Sequence, residues 1–254
     1  MTTVEPTPSA LGDTQLPAEG PLSLESIFAP VRSQTAFEET VDRLGTAIKL
    51  GLLPAGERLP AERELCQRLG IARSTLRQAL TALGQSGYLH AVRGRGGGTF
   101  VVEAPPRSDR PDDVTLATWH EICDERLAIE VGVAVLAAAR ATPDQLMALD
   151  ALVIGLDDCV DDYPAYRHAD VRFHVGLAEA TGSSRLVAAM TQCQGAMSDL
   201  IHHIAHPPEV LAHANAQHAR LLAAIRAQDV GQAVQTMTEH LQGTEHILAG
   251  LLPR

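Results

Sequence analysis

Apolar residues recur at three- and four-residue spacing along most of the chain, and the rhythm breaks at only a few places. Phe37, Val41, Leu44 and Ile48 share one helical face, and Gly51 supplies a stop. After LLPAGERL a short helix is expected from Pro60, a residue suited to a first helical turn; Leu65 and Leu69 line it and Gly70 ends it. A third helix turns Leu76, Ala79, Leu80 and Leu83 inward. YLHAV and TFVV then alternate as strands around RGRGGG, a hairpin tip. Three helices and a β-hairpin make a winged helix-turn-helix.

Beyond residue 115 the helical period is almost continuous. Helices are expected over 115–140, 143–160, 164–181, 184–205, 208–227 and 230–250, punctuated at Pro143, Pro164, Gly182, Pro207, Pro208 and Asp229. The expected fold is mainly α: an N-terminal winged helix-turn-helix followed by an all-α bundle of about six helices. Two stretches lack any lasting period. Residues 1–30, rich in Pro, Thr, Ser and Gly, read as a mobile tail, and 104–114 lies in a proline-rich, charged linker. The domains are then 31–103 and 115–254.

Charge sharpens this division. The net charge is −11, yet residues 31–103 carry ten basic against seven acidic side chains, and residues 58–95 hold seven arginines against two acids. A local basic region is compatible with DNA binding on an acidic protein, because the field at the contact face decides. No apolar run approaches the length of a membrane span and no signal-peptide pattern opens the chain, so a cytoplasmic protein with no membrane partner is expected. The four cysteines are scattered without a CxxC and read as reduced thiols.

On the third helix Arg73 and Arg77 stand four apart, opposite the leucines, with Thr75 nearby. Arg63 lies on the preceding helix, and Arg93, Gly94, Arg95 and Gly96 form the slim hairpin tip. Arginine can grip guanine bidentately or clamp phosphate, and a glycine-rich tip can approach a groove closely. The stretch GLLPAGERLPAERELCQRLGIARSTLRQALTALGQSGYLHAVRGRGGGTFV, with LPAERELC, RSTLRQAL and the GTFV ending, resembles the N-terminal domain of GntR-family transcription regulators. The resemblance implies operator contacts from Arg63, Arg73, Thr75, Arg77 and the wing at Arg93, Gly94, Arg95 and Gly96. Two departures stand out: Ala72 replaces a usual Ser or Thr, removing an N-cap, and the wing has extra glycines.

The second half raises a different question. In ADVRFHVGL, Tyr166, Asp170, Phe173, His174 and Leu177 share the apolar face, while His168, Arg172 and Glu179 lie opposite. A buried carboxylate is costly unless paired. His218 shares a face with Leu211, Leu221, Leu222 and Ile225, and His240 with Ala233, Met237, Ile247 and Leu251. Three helices thus aim Asp170, His174, His218 and His240 inward, and a divalent cation would satisfy all four. HADVRFHVGLAEATGSSRL, QHARLLAAIRAQD and MTEHL resemble the FCD domain of the FadR subfamily of GntR regulators, over roughly 115–248. The resemblance implies one divalent transition metal per chain on these four residues; zinc, nickel and manganese are all chemically allowed, and zinc is the expected ion. Ser183 stands where the family often has Asn.

Arg126 lies on the inward face of the first bundle helix. Either it pairs internally with Glu130, one turn on, or it receives an effector's carboxylate, as the family's matching arginine does. IHHIAH at 201–206 also looks like a metal cluster, but His202 and His206 read as a solvated helix end. The leading reading is a homodimeric regulator, not an enzyme. It would bind a pseudopalindromic operator under control of a small organic acid, and lie at the nucleoid when DNA-bound. Two alternatives are a regulator that senses the ion itself and a metal-dependent enzyme fused to a DNA-binding domain.

Overall fold

The structure, a computed structural model, describes residues 36–94, 96–105, 118–202 and 206–251. The tail at 1–30, most of the 104–114 linker and Arg95 lie outside the described residues. Residues 35–254 form one compact unit.

Its N-terminal part contains α1 (Ala36–Lys49), α2 (Glu62–Leu69) and α3 (Arg73–Gln85), then β1 (Leu89–Val92) and β2 (Gly98–Val101). The strands pair antiparallel, from Leu89 opposite Val101 to Val92 opposite Gly98. Leu44, Ile48, Leu59, Leu65, Leu76, Leu83, Leu89 and Val101 form one buried cluster under the three helices and the hairpin. Leu80 of the expected stripe packs on it half-buried. The short second helix begins at Glu62, two residues after the expected Pro60, because Ala61 keeps extended backbone angles as its N-cap. At the wing, a Cβ on Gly97 would lie 2.3 Å from the Val92 carbonyl oxygen, so the extra glycine there permits a tighter tip.

The C-terminal part is all-helical: α4 (Trp119–Arg140), α5 (Pro143–Asp157), α6 (Tyr163–Ala180), α7 (Ser184–Ile201), α8 (Pro208–Arg226) and α9 (Val230–Leu251). Caps set several of these starts. Thr142 and Gln145 make a capping box around Pro143, Asp162 accepts from the Ala165 N–H ahead of α6, and Ser183 accepts from Leu186 N–H ahead of α7. Ser183 is therefore a helix N-cap, which Asn would equally well be. α9 packs on α4 and α8, α4 on α6 and α7, and α5 on α6 and α8. Val133, Phe173, Leu177, Met190, Leu221, Leu222, Ile225 and Met237 fill the centre. On α9 the buried position is Leu248, with Ile247 half-buried, a shift of one residue from the expected face; the side chain of Leu251 lies outside the described residues.

The two parts meet where α1 packs on α7. Gln192 donates to Asp42 at 3.1 Å, and a Cβ on Gly195 would lie 2.7 Å from Thr46 Cγ2. Gly51, with φ +69°, brings the chain so close to α6 that a Cβ there would stand 2.7 Å from His168 Nδ1. No helix among the described residues is long and apolar enough to cross a membrane.

Candidate metal centre and nucleic-acid interface

The four inward residues expected from the helical period are brought together. Asp170 and His174 come from α6, His218 from α8 and His240 from α9, and all four are buried. One nitrogen from each histidine lies within 4.8 Å of the others. His218 Nε2 is 3.3 Å from His240 Nε2 and 3.5 Å from Asp170 Oδ1, and His174 Nε2 is 3.7 Å from the same Oδ1. Three histidine nitrogens therefore converge, and Asp170 Oδ1 stands beside two of the rings, those of His174 and His218.

What lies behind the rings explains their orientation. Glu130 Oε2, from α4, lies against His174 Nδ1, and Gln217 Oε1 stands 3.1 Å from His240 Nδ1. Each acceptor favours the proton on Nδ1 and leaves Nε2 with its lone pair toward the common point. His174 Nε2 has no hydrogen-bond partner among the described residues, and neither does His218 Nδ1. Orphaned nitrogens in a dry interior are costly, and a cation bound by Nε2 would satisfy the first.

Burial pushes two of the imidazoles toward neutrality: His218 falls to about 3, with Asp170 opposing the shift, and His240 falls well below its ordinary value. Neutral imidazole is the metal-binding form. Burial raises the Asp170 carboxyl, but the polar neighbours around it, the His174 ring and the Arg167 guanidinium foremost, outweigh it and hold it at about 2. Glu130 is also held at about 2: burial again raises it, and His174 and Arg126 prevail. Both acids stay ionised.

Two arginines frame the centre. Arg126 Nε donates to Glu130 Oε1 at 2.8 Å, and Gln194 Nε2 donates to the same oxygen at 2.8 Å. The internal pair with Glu130 thus exists. Arg167 went unremarked in the sequence. Its Nη1 donates to Asp170 Oδ2 at 2.5 Å, and Nε and Nη2 donate to Ser198 Oγ at 3.0 and 2.8 Å. Nη2 also reaches Gln194 O and Oε1 at 3.0 and 2.9 Å. Its signal was the i, i+3 spacing to Asp170, at the edge of the inward face.

A cavity of about 620 Å³ opens between α1 and the α6–α7 pair, with Thr46, Lys49, Arg167, His168, Ser198 and Asp199 among its walls. None of the three clustered histidines lines it; Arg167 separates it from Asp170. The second histidine cluster comes apart. Of its members, His202 is exposed, whereas His206 is half-buried, stacks on Tyr163 with centroids 3.4 Å apart and meets the Ile201 carbonyl at 2.7 Å. His206 is therefore no solvated helix end; α7 closes at Ile201, and residues 203–205 lie outside the described residues.

On the N-terminal part, Arg63, Arg73, Arg77 and Arg93 are exposed, as are Gly94 and Gly96; Thr75 is half-buried. Not every arginine of the basic region is available. Arg58 donates to the Gly97 carbonyl at 2.6 Å and holds the wing, and Arg68 pairs with Glu64 one turn away. Ala72 caps α3 without any side-chain hydrogen bond.

Comparison with known proteins agrees with both halves. The family described as "Bacterial regulatory proteins, gntR family" matches residues 37–101, and the FCD domain matches residues 121–243. A Mycobacterium gastri protein named as the HTH-type transcriptional regulator RmpR is 36% identical over 217 residues, 80% of this chain and 76% of the relative. An Escherichia coli protein named for regulation of the L-lactate dehydrogenase operon is 31% identical over 220 residues, 80% of this chain and 83% of that one. The solved structure of Escherichia coli McbR/YncC, 22% identical, covers 85% of this chain and 98% of its own with a TM-score of 0.54, which shows a shared fold.

Proposed function

Because the chain belongs to the GntR family of DNA-binding transcription regulators, with an FCD domain, and is not an enzyme, we propose that it is a homodimeric operator-binding protein governed by a small carboxylate at a buried metal. The observation that carries the proposal is the convergence of three buried histidine nitrogens, with Asp170 Oδ1 beside His174 and His218 and with Glu130 and Gln217 behind two of the rings. Histidine and carboxylate donors suit zinc, nickel and manganese alike, and zinc is the ion proposed first. When bound, the ion would offer an open coordination position to an acid's carboxylate.

Arg126 would meet that acid from α4, while Glu130 holds its Nε. A relative named for the L-lactate dehydrogenase operon of Escherichia coli fits control by an organic acid. In the reading part (31–103), Arg63, Arg73, Thr75, Arg77 and the wing at Arg93, Gly94, Arg95 and Gly96 would contact the operator. The bundle (115–254) would bind effector and partner copy. One small winged helix spans only a half-site, which argues for a dimer and a pseudopalindrome.

The route from acid to DNA runs through α7. Its inner side holds Gln194 and Ser198 against Glu130 and Arg167, and its outer side holds Gln192 and Gly195 against α1. An acid that displaces Arg126 or Arg167 would therefore move the seat of the DNA-reading part. The test uses a duplex enriched by the protein from a random library, titrated with small mono- and dicarboxylic acids with and without metal. At least one acid should change duplex affinity about a hundredfold, or about 2.7 kcal/mol, in metal-loaded protein alone. Acid response in stripped protein would defeat the metal-dependent part; no response to any acid would defeat the effector.

A further inference from the structure

Glu62 stands on α2, one helix before the proposed reading face, and its carboxylate takes both arginines of α3. Oε2 accepts from Arg73 Nε at 2.9 Å; Oε2 and Oε1 accept from Arg77 Nε at 3.0 and 3.2 Å. Both contacts use the same atom of the guanidinium. A guanidinium offers two edges to a bidentate acceptor, one containing Nε and one made of the two terminal nitrogens. A carboxylate at Nε leaves the terminal edge for another partner, and that edge matches guanine O6 and N7. Arg73 and Arg77 are 66% and 58% exposed and Glu62 only 32%, so the acid is the recessed member of the trio.

The pairs do little for the fold, since exposed ion pairs add little to stability. Their effect is on orientation and on charge. Arg73 and Arg77 are one turn apart on the same helix, and a shared carboxylate offsets their mutual repulsion. Hydrogen bonds from Arg73 and Arg77 hold the Glu62 carboxyl below its usual value, so the acid stays ionised at neutral pH. An ionised acid on a DNA-facing surface also repels phosphate, which weakens binding wherever no bases repay it.

We propose that Glu62 is a positioning residue for operator reading: it holds Arg73 and Arg77 by Nε, presents their terminal edges to bases, and disfavours DNA of the wrong sequence. The inference rests on α3 being the recognition helix. It is tested on full-length wild type, Glu62→Gln and Arg73→Ala. Each is titrated against the duplex that wild type enriches from a random library, and against a shuffled duplex of equal composition. Glu62→Gln should weaken binding to the enriched duplex about tenfold, the lower range for a lost bidentate base contact. It should strengthen binding to the shuffled duplex and steepen the salt dependence there. A merely structural role would shift both duplexes together and leave their ratio alone; that result, or a gain on both, overturns the proposal. If Arg73→Ala binds the enriched duplex like wild type, the recognition helix itself is misassigned. If Arg73→Ala loses that duplex while Glu62→Gln keeps the ratio, only the role of Glu62 fails.

Discussion

Arg167 binds Asp170 through Nη1 at 2.5 Å while the same guanidinium grips Ser198 and Gln194 of α7. A candidate metal ligand is thereby tied to the helix that seats α1. In metal-free protein Arg167 is the nearest permanent cation to a buried carboxylate. Its loss should cost about 3–5 kcal/mol, as breaking one side of a buried pair does. Arg167→Met should therefore lower the Tm of chelator-treated protein by several degrees, and lower it less after metal is restored, because the ion then faces Asp170. Scanning calorimetry in both states checks this, and an equal loss in both would refute it.

Arg73→Ala should abolish binding to the enriched duplex and leave metal content and Tm near wild type, since its side chain is exposed and contacts only Glu62 among the interactions described. Anisotropy titration and elemental analysis of one preparation decide the matter. Wild-type affinity in the variant would remove α3 from the reading face.

Arg126→Met removes a buried cation beside Glu130, whose charge His174 and Gln194 still face. Acid binding to metal-loaded protein should weaken by about 2–3 kcal/mol, near a hundredfold, as for a lost charged hydrogen bond. Duplex binding without acid should persist. Calorimetric titration with the active acid would show it; undiminished acid affinity would leave Arg126 as internal pairing alone.

Burial raises the Cys123 thiol to about 11 and the Cys193 thiol to about 12, from an ordinary 9.0. The thiolate is the nucleophile, so at pH 8 both should resist iodoacetamide while the half-buried Cys66 and Cys159 react first. The linkage has a definite sign. Because the folded values exceed the unfolded one, the stability these thiols contribute is intact below about pH 9 and declines from there toward pH 12. Mass-mapped labelling across pH 7–9 tests the order; early labelling of Cys193 would contradict its burial.

Much of this was legible because a period of 3.6 residues sorts side chains by face. Asp170, His174, His218 and His240 were placed inside by that rule alone, and Ala72 was correctly read as an empty cap. Arg167 escaped because it sits at the margin of its helix face, where a long side chain chooses its direction from tertiary contacts with Ser198 and Gln194. Glu130 was read as a partner for Arg126, but its second oxygen on His174 depends on how α4 crosses α6, which no local pattern specifies. His206 was misread for the same reason, since its stacking partner Tyr163 lies 43 residues earlier in the chain.

The most direct test of the metal centre is elemental mass spectrometry on tag-free protein and on His174→Ala. The account predicts close to one divalent transition-metal ion per chain in the wild type and little in the variant, which should keep its winged helix folded. No ion in wild type after reconstitution, or full occupancy in His174→Ala, would contradict it.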